Sequence, residues 1–137
     1  GDPEAEVVLP RIKSDLLELL IAAADGKLKE KHIRVCSKQA AAVMLVSGGY
    51  PGDYEKGKAI SGLEAVEQSL LFHAGTGMTA GRLVTAGGRV IAVTSLARSR
   101  KKALELSYRN ALKINFEKMY YRRDLGRDLA RIKRKKK

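Results

Sequence analysis

The stretch VSGGYPGDYEKGKAISGLE, Val46 to Glu64, carries five glycines, one proline and two tyrosines between apolar runs. Gly48, Gly49 and Gly52 allow a backbone to approach a ligand closely and expose N–H groups that suit an anion. Pro51 stiffens the turn, and Tyr50 and Tyr54 offer apolar walls tipped with hydroxyls. The pattern stands open between a ligand loop and a connector, and Lys56 and Lys58 between meeting phosphate and keeping the loop soluble. GDPEAE, Gly1 to Glu6, places three carboxylates in six residues. They would suit an ammonium, an amine or a metal-nucleotide, or they form a frayed acidic terminus. His73, in LLFHAGTG, is either a general base beside a turn or a strand-end histidine held by backbone groups. Cys36 reads as core more readily than as nucleophile. The sequence has no G-x-x-x-x-G-K-[ST], no G-x-G-x-x-G opening a helix and no H-E-x-x-H.

These residues need elements to hold them. SDLLELLIAAADG reads as a helix capped by Ser14, with Asp15 and Glu18 in its first turn. Leu16, Leu17, Leu20 and Ala24 share its apolar face, and Gly26 follows its end. HIRVCS, QAAAVMLVS and SLLFHAG are short apolar runs of strand type. GRLVTAGGRVIAVTSLA reads as a hairpin turning at Gly87-Gly88, since paired glycines allow the positive φ of a tight turn. Its second arm is apolar on both sides, which predicts a central strand. Ser99 caps a second helix, RKKALELSYRNALKINF, with Leu104, Tyr108, Ala111 and Leu112 as the buried stripe. Strands followed by one long helix make an α+β pattern.

At 137 residues the chain fits one compact domain, or a domain with an appendage. Its apolar share of 45% and charged share of 31% are globular rather than disordered. No apolar run approaches a membrane span, no secretory signal is visible, and the single cysteine cannot form an internal disulfide. A cytoplasmic location is expected. The net charge of +12 is concentrated in the ending RIKRKKK, which has no aromatic residues to stack bases. That ending suits weak, salt-sensitive attraction to polyanions rather than a specific nucleic-acid site.

Taken in order, GDPE, VVLPRIKSDLLELL, AAAVMLVSGGYPGDYEKGKAISGLE, FHAGT, GGRVIAVT and YRRDLG are similar to the C-terminal part of the phosphoribosylamine–glycine ligases. These are the glycinamide ribonucleotide synthetases, ATP-grasp enzymes of purine biosynthesis. The resemblance runs from about Gly1 to Gly126. It implies an activity: ATP-dependent joining of glycine to 5-phosphoribosylamine through a glycyl-phosphate. It implies a fold: an α+β domain with a small antiparallel sheet and a packed C-terminal helix, preceded by the last helix of an ATP-grasp core. The expected divisions are 1–30 for the end of that core, 33–126 for the C-terminal domain and 127–137 for a basic tail.

By the same resemblance, Asp2 and Glu4 orient the amine of phosphoribosylamine or the ammonium of glycine. Gly48, Gly49, Tyr50 and Pro51 form a loop closing over the cleft, and Arg123 with Asp124 forms a structural latch. No catalytic residue and no metal ligand carries over. The family's magnesium-binding E-x-N-x-R-F phrase would end just before Gly1. The expectation is therefore a fragment inactive alone and binding no cofactor tightly. In the parent enzyme ATP and magnesium or manganese act, glycine and 5-phosphoribosylamine are the substrates, and the N-terminal and ATP-grasp domains are the protein partners. No membrane or nucleic-acid partner is expected. The rival reading is a free-standing binding module whose basic tail contacts anionic partners such as RNA.

Overall fold

The computed structural model describes residues 3–127. Its centre is a three-stranded antiparallel sheet. Strand β1 (Gln39–Val46) and β2 (Ser69–His73) flank β5 (Arg89–Ala97) in the order β1-β5-β2. The apolar character of both sides of β5 follows from this position: Val90, Ile91, Ala92, Val93, Thr94 and Ser95 are all fully buried. A separate two-stranded sheet pairs β3 (Thr76–Thr79) with β4 (Arg82–Thr85). Helix α3 (Arg100–Ala111) packs on β1 and β5, so the expected α+β architecture holds.

The expected hairpin at Gly87-Gly88 does not form. β4 and β5 belong to different sheets, and neither glycine has positive φ. The tight turn lies instead between β3 and β4, where Ala80 (φ 48°) and Gly81 (φ 74°) supply the two left-handed residues. Gly87 serves close approach: its N–H and that of Ala86 both donate to Gly75 O, at 3.1 and 2.7 Å. A Cβ on Gly75 would meet Gly87 Cα at 2.7 Å.

Helix α3 begins where expected, with Ser99 Oγ accepting from Lys102 N at 3.3 Å. It ends at Ala111 rather than running on to Phe116, because Ile114 and Phe116 turn into the core. Its buried stripe is Ala103, Ser107, Asn110 and Ala111, while Leu112 is 69% exposed. The polar members are paired. Ser107 Oγ lies 2.8 Å from both Ala41 O and Ser95 Oγ, and Asn110 Nδ2 reaches Glu67 O at 2.7 Å and Ser69 Oγ at 2.6 Å. Val43, Leu45, Ile91 and Val93 meet Ala111, Ile114, Phe116 and Tyr121 in one apolar core. Each large side chain removed from water there contributes about 1.5–3 kcal/mol.

The N-terminal part is different in kind. Helix α1 (Ala5–Val8) rests on β1 and β5, and α2 (Leu16–Ala24) follows a 3₁₀ turn at Leu9–Arg11. Asp15, not Ser14, caps α2, accepting from Glu18 N at 3.1 Å. Ser14 is engaged elsewhere: its hydroxyl accepts from Arg34 N at 2.8 Å and donates to His32 O at 3.3 Å. HIRVCS is no sheet strand. It makes only an isolated bridge, Ile12 to Val35, beside the bond from Cys36 N to Arg11 O. On α2 the buried residues are Leu19 and Ala22, and the expected apolar face of Leu16, Leu17, Leu20 and Ala24 is exposed. Among the described residues no helix is long and apolar enough to cross a membrane.

Candidate functional site

The glycine-rich loop leaves the end of β1 through Ser47, whose N–H donates to Gly88 O at 2.8 Å and whose hydroxyl donates to Gly87 O at 2.9 Å. Tyr50 N donates back to Ser47 O at 3.1 Å, closing a turn that a cis Tyr50–Pro51 peptide follows. The Tyr50 ring rests on Gly88, where an added Cβ would fall 2.1 Å from Tyr50 Cδ2. Tyr54 meets Tyr50 edge-on with ring centroids 6.1 Å apart.

The glycines turn out to serve the chain itself. A Cβ on Gly48 would lie 2.5 Å from Lys118 O, one on Gly49 (φ +100°) 2.0 Å from Asp53 O, and one on Gly62 (φ +83°) 1.9 Å from Lys113 O. Sequence alone could not separate close approach to a ligand from close approach to the loop's own neighbours. The N–H groups of Gly48, Gly49 and Gly52 nevertheless donate no hydrogen bond among the described residues. Gly49, Tyr50, Pro51, Gly52 and Asp53 form the exposed tip.

Four charged side chains sit below that tip. Lys58 Nζ bridges Glu55 at 2.6 Å and Glu117 at 3.0 Å, and Lys118 Nζ reaches Glu55 at 3.0 Å. Hydrogen bonds from Lys58, then Lys118, hold the Glu55 carboxyl down at about 2. The same pairing, first with Glu55 and then with Glu117, raises the Lys58 ammonium above its ordinary value. Lys58 is thus committed within the chain, while Lys56 stays exposed. The roles of Glu117 and Lys118 lay beyond sequence reasoning, since both lie far along the chain from the loop they pair with.

The remaining candidates disperse. Asp2 lies outside the described residues. Glu4 is exposed at the start of α1 and its side chain caps nothing. His73 Nδ1 lies 3.0 Å from Thr76 Oγ1, so a hydroxyl rather than the backbone satisfies it. Cys36 is half-buried. Arg123 and Asp124 do not pair with each other: Arg122 Nε and Nη2 each donate to Asp124 at 2.9 Å, a local pair that lowers its carboxyl below the usual range. Arg123 instead lies over the Tyr121 ring, 5.7 Å from its centroid. A groove of about 560 Å³ lined by Met119, Tyr120, Arg123 and Arg127 lies along this closing segment.

Residues 40–128 match the family model described as phosphoribosylglycinamide synthetase, C domain. The chain is 46% identical over 126 residues to the phosphoribosylamine–glycine ligase of Caldanaerobacter subterraneus subsp. tengcongensis, covering 92% of this chain and 30% of that protein. It is 43% identical over 135 residues to the ligase of the same name from Pasteurella multocida, covering 97% of this chain and 32% of the relative. The crystal structure of phosphoribosylamine–glycine ligase from Thermotoga maritima superposes with a TM-score of 0.71 at 33% identity, over 90% of this chain and 30% of that one. The chain therefore spans about three-tenths of the length of these relatives.

Proposed function

Because the chain belongs to the phosphoribosylglycinamide synthetase C-domain family, we propose that it is the C-terminal segment of a phosphoribosylamine–glycine ligase. The reaction of the whole enzyme is ATP-dependent joining of glycine to 5-phosphoribosylamine, and this segment supplies a wall of the cleft. The observation that carries the reading is the match along nearly the whole chain to ligases about three times as long. The first 35 residues support it independently. Nine large hydrophobic side chains stay exposed between Val8 and Val35, among them Leu17 at 66%, Leu20 at 59% and Ile21 at 54%. Apolar surface concentrated in this way marks an interface, and on this reading its occupant is the ATP-grasp core.

The residues of this chain then divide the work as follows. Tyr50 and Pro51 form an apolar rim, and the free N–H groups of Gly48, Gly49 and Gly52 face an anionic part of the substrate. By the family resemblance, Asp2 and Glu4 would orient an amine by charge, although Asp2 lies outside the described residues. ATP and a divalent metal would activate the glycine carboxylate by phosphorylation. Among the described residues, however, no group of three or more His, Cys, Asp or Glu could hold a metal ion. On this reading the other domains of the ligase hold both groups, and the segment alone would not ligate.

A full-length phosphoribosylamine–glycine ligase truncated just before the position of Gly1 should lose ligation and regain it when this chain is added in trans. Undiminished activity of the truncated enzyme would refute the reading.

A further inference from the structure

We propose that the glycine-rich loop is a pre-formed wall rather than a closing flap, and that Lys58 is the residue that positions it. The inference rests on the reading of the loop as a ligand wall and adds how that wall is held. A flap needs hinges at its base, a few residues free to change φ and ψ. Both bases here are fixed, each to a different element.

At the first base, Val46 exchanges two backbone hydrogen bonds with Tyr120, at 2.9 and 3.0 Å, and Ser47 is tied to Gly88. Gly48 has Lys118 backbone across it, with no room for movement in that direction. At the second base, Gly57 N donates to Thr85 O at 2.7 Å, Lys58 O accepts from Thr85 N at 2.9 Å, and Ile60 N donates to Leu83 O at 2.9 Å. Ser61 and Asn115 then exchange two bonds, both 3.0 Å. The glycines that would be hinges are therefore pressed against neighbours or flanked by hydrogen-bonded residues.

Lys58 joins these anchors to the tip. Its backbone is bonded to Thr85, and its side chain, 24% exposed, spans Glu55 in the loop and Glu117 beyond α3. Lys118 closes the chain of alternating charges on Glu55. A methionine at position 58 keeps the stem and loses both bridges, whereas an arginine keeps the charge and can span two carboxylates. A wall ordered in advance also spares the ligand the cost of immobilising a loop.

Amide hydrogen exchange of the 137-residue chain tests the wall directly. In the wild type, the amides of Val46, Gly57, Ser61 and Tyr120 should be protected within about tenfold of Val43 in β1, the expectation for one cooperative unit. Lys58→Met should speed exchange at Gly57 and Ser61 about fivefold, a modest factor because partly exposed ion pairs are weak. Lys58→Arg should restore it, and Glu117→Gln, which removes one exposed carboxylate, should give a smaller change in the same direction. In a full-length ligase carrying this segment, Lys58→Met should raise KM for 5-phosphoribosylamine with kcat within about twofold, the pattern of lost positioning, and Lys58→Arg should rescue it. Wild-type amides of Val46, Gly57, Ser61 and Tyr120 exchanging as fast as exposed termini would overturn the wall, whatever the enzyme does. Loosened exchange with unchanged KM would overturn the substrate role of the loop while the clamp itself stood. A raised KM with unchanged exchange would overturn positioning through the loop.

Discussion

Gly62 and Gly57 have nearly the same φ and different surroundings, which makes them a matched pair. Their φ values are +83° and +80°. Alanine at either position is strained in the left-handed region by about 1 kcal/mol. At Gly57 nothing lies within 4 Å of an added Cβ, so that strain is the whole effect. At Gly62 the Cβ would sit 1.9 Å from Lys113 O and 2.9 Å from its carbonyl carbon. Backbone cannot rotate aside as a side chain can, so the 113–115 segment must move away. Moving it breaks the two Ser61–Asn115 hydrogen bonds, worth about 1 kcal/mol each. Gly62→Ala should therefore cost about 3 kcal/mol and Gly57→Ala about 1 kcal/mol. Urea unfolding followed by circular dichroism would read both, with equal slopes expected for the two variants. Equal losses, or a larger loss at Gly57, would refute the claim that contact with the chain's own backbone, rather than φ alone, selects glycine at position 62.

Asn110→Asp replaces a buried donor with a carboxylate facing Glu67 O and Ser69 Oγ. It should cost about 3 kcal/mol at neutral pH, because the charge is both desolvated and misdirected. The folded carboxyl would be raised above its unfolded value, so the loss should shrink as pH falls and the group protonates, measurable by thermal melts at pH 7 and pH 4. Glu55 should titrate at about 2 by carboxyl-carbon NMR, and Lys58→Met should move it toward 4.5. Its folded value is depressed, so its share of stability is present above the unfolded value and is lost as pH falls through about 2. Leu17→Glu with Leu20→Glu should change the stability of this chain by less than about 0.5 kcal/mol, since both side chains are already wet. The same pair should abolish rescue of a truncated ligase in trans, read as product formation.

The parts of the fold visible in the sequence are those decided by a residue's own chemistry and its near neighbours. β5 is central because both of its sides are apolar, and Ser99 caps α3 because its hydroxyl reaches Lys102 N. The parts that were hidden depend on a distant partner. Ser14 looks like a helix cap, but Arg34 and His32 claim its hydroxyl and leave Asp15 to do the capping. Gly87-Gly88 looks like a hairpin turn, but one glycine is thin to pass Gly75 and the other to carry the Tyr50 ring. The expected stripe of α3 meets the core through Leu104, Tyr108 and Ala111 but not Leu112, and Ser107 and Asn110 share the buried face because Ala41 O, Glu67 O, Ser69 and Ser95 wait there to pair with them. For the candidate site, the loop was visible from its composition. The clamp under it was not, since Glu55 and Glu117 are far apart in sequence and meet only through Lys58.

The two parts of the chain differ in what they ask of the rest of a protein. From β1 onward, strands, helix and closing segment bury a shared apolar core, and Tyr108 Oη ties the end down by donating to Arg122 O at 2.8 Å and accepting from Leu125 N at 3.3 Å. Residues 3–35 fully bury only Leu19 and Ala22; α1 rests on β1 and β5, and Arg11 Nε donates to Lys38 O, just before β1, at 3.0 Å. A helix of nine residues has too few internal bonds to hold itself in water. Its order must come from packing, and the leucines that would supply that packing face outward. Stability measured across the chain should therefore be uneven, highest in β5 and lowest in α2. Exchange protection at Leu20 should rise by orders of magnitude only when the remainder of a ligase covers it. The glycine-rich loop belongs to the self-sufficient part, so the wall it forms should already be in place before that covering arrives.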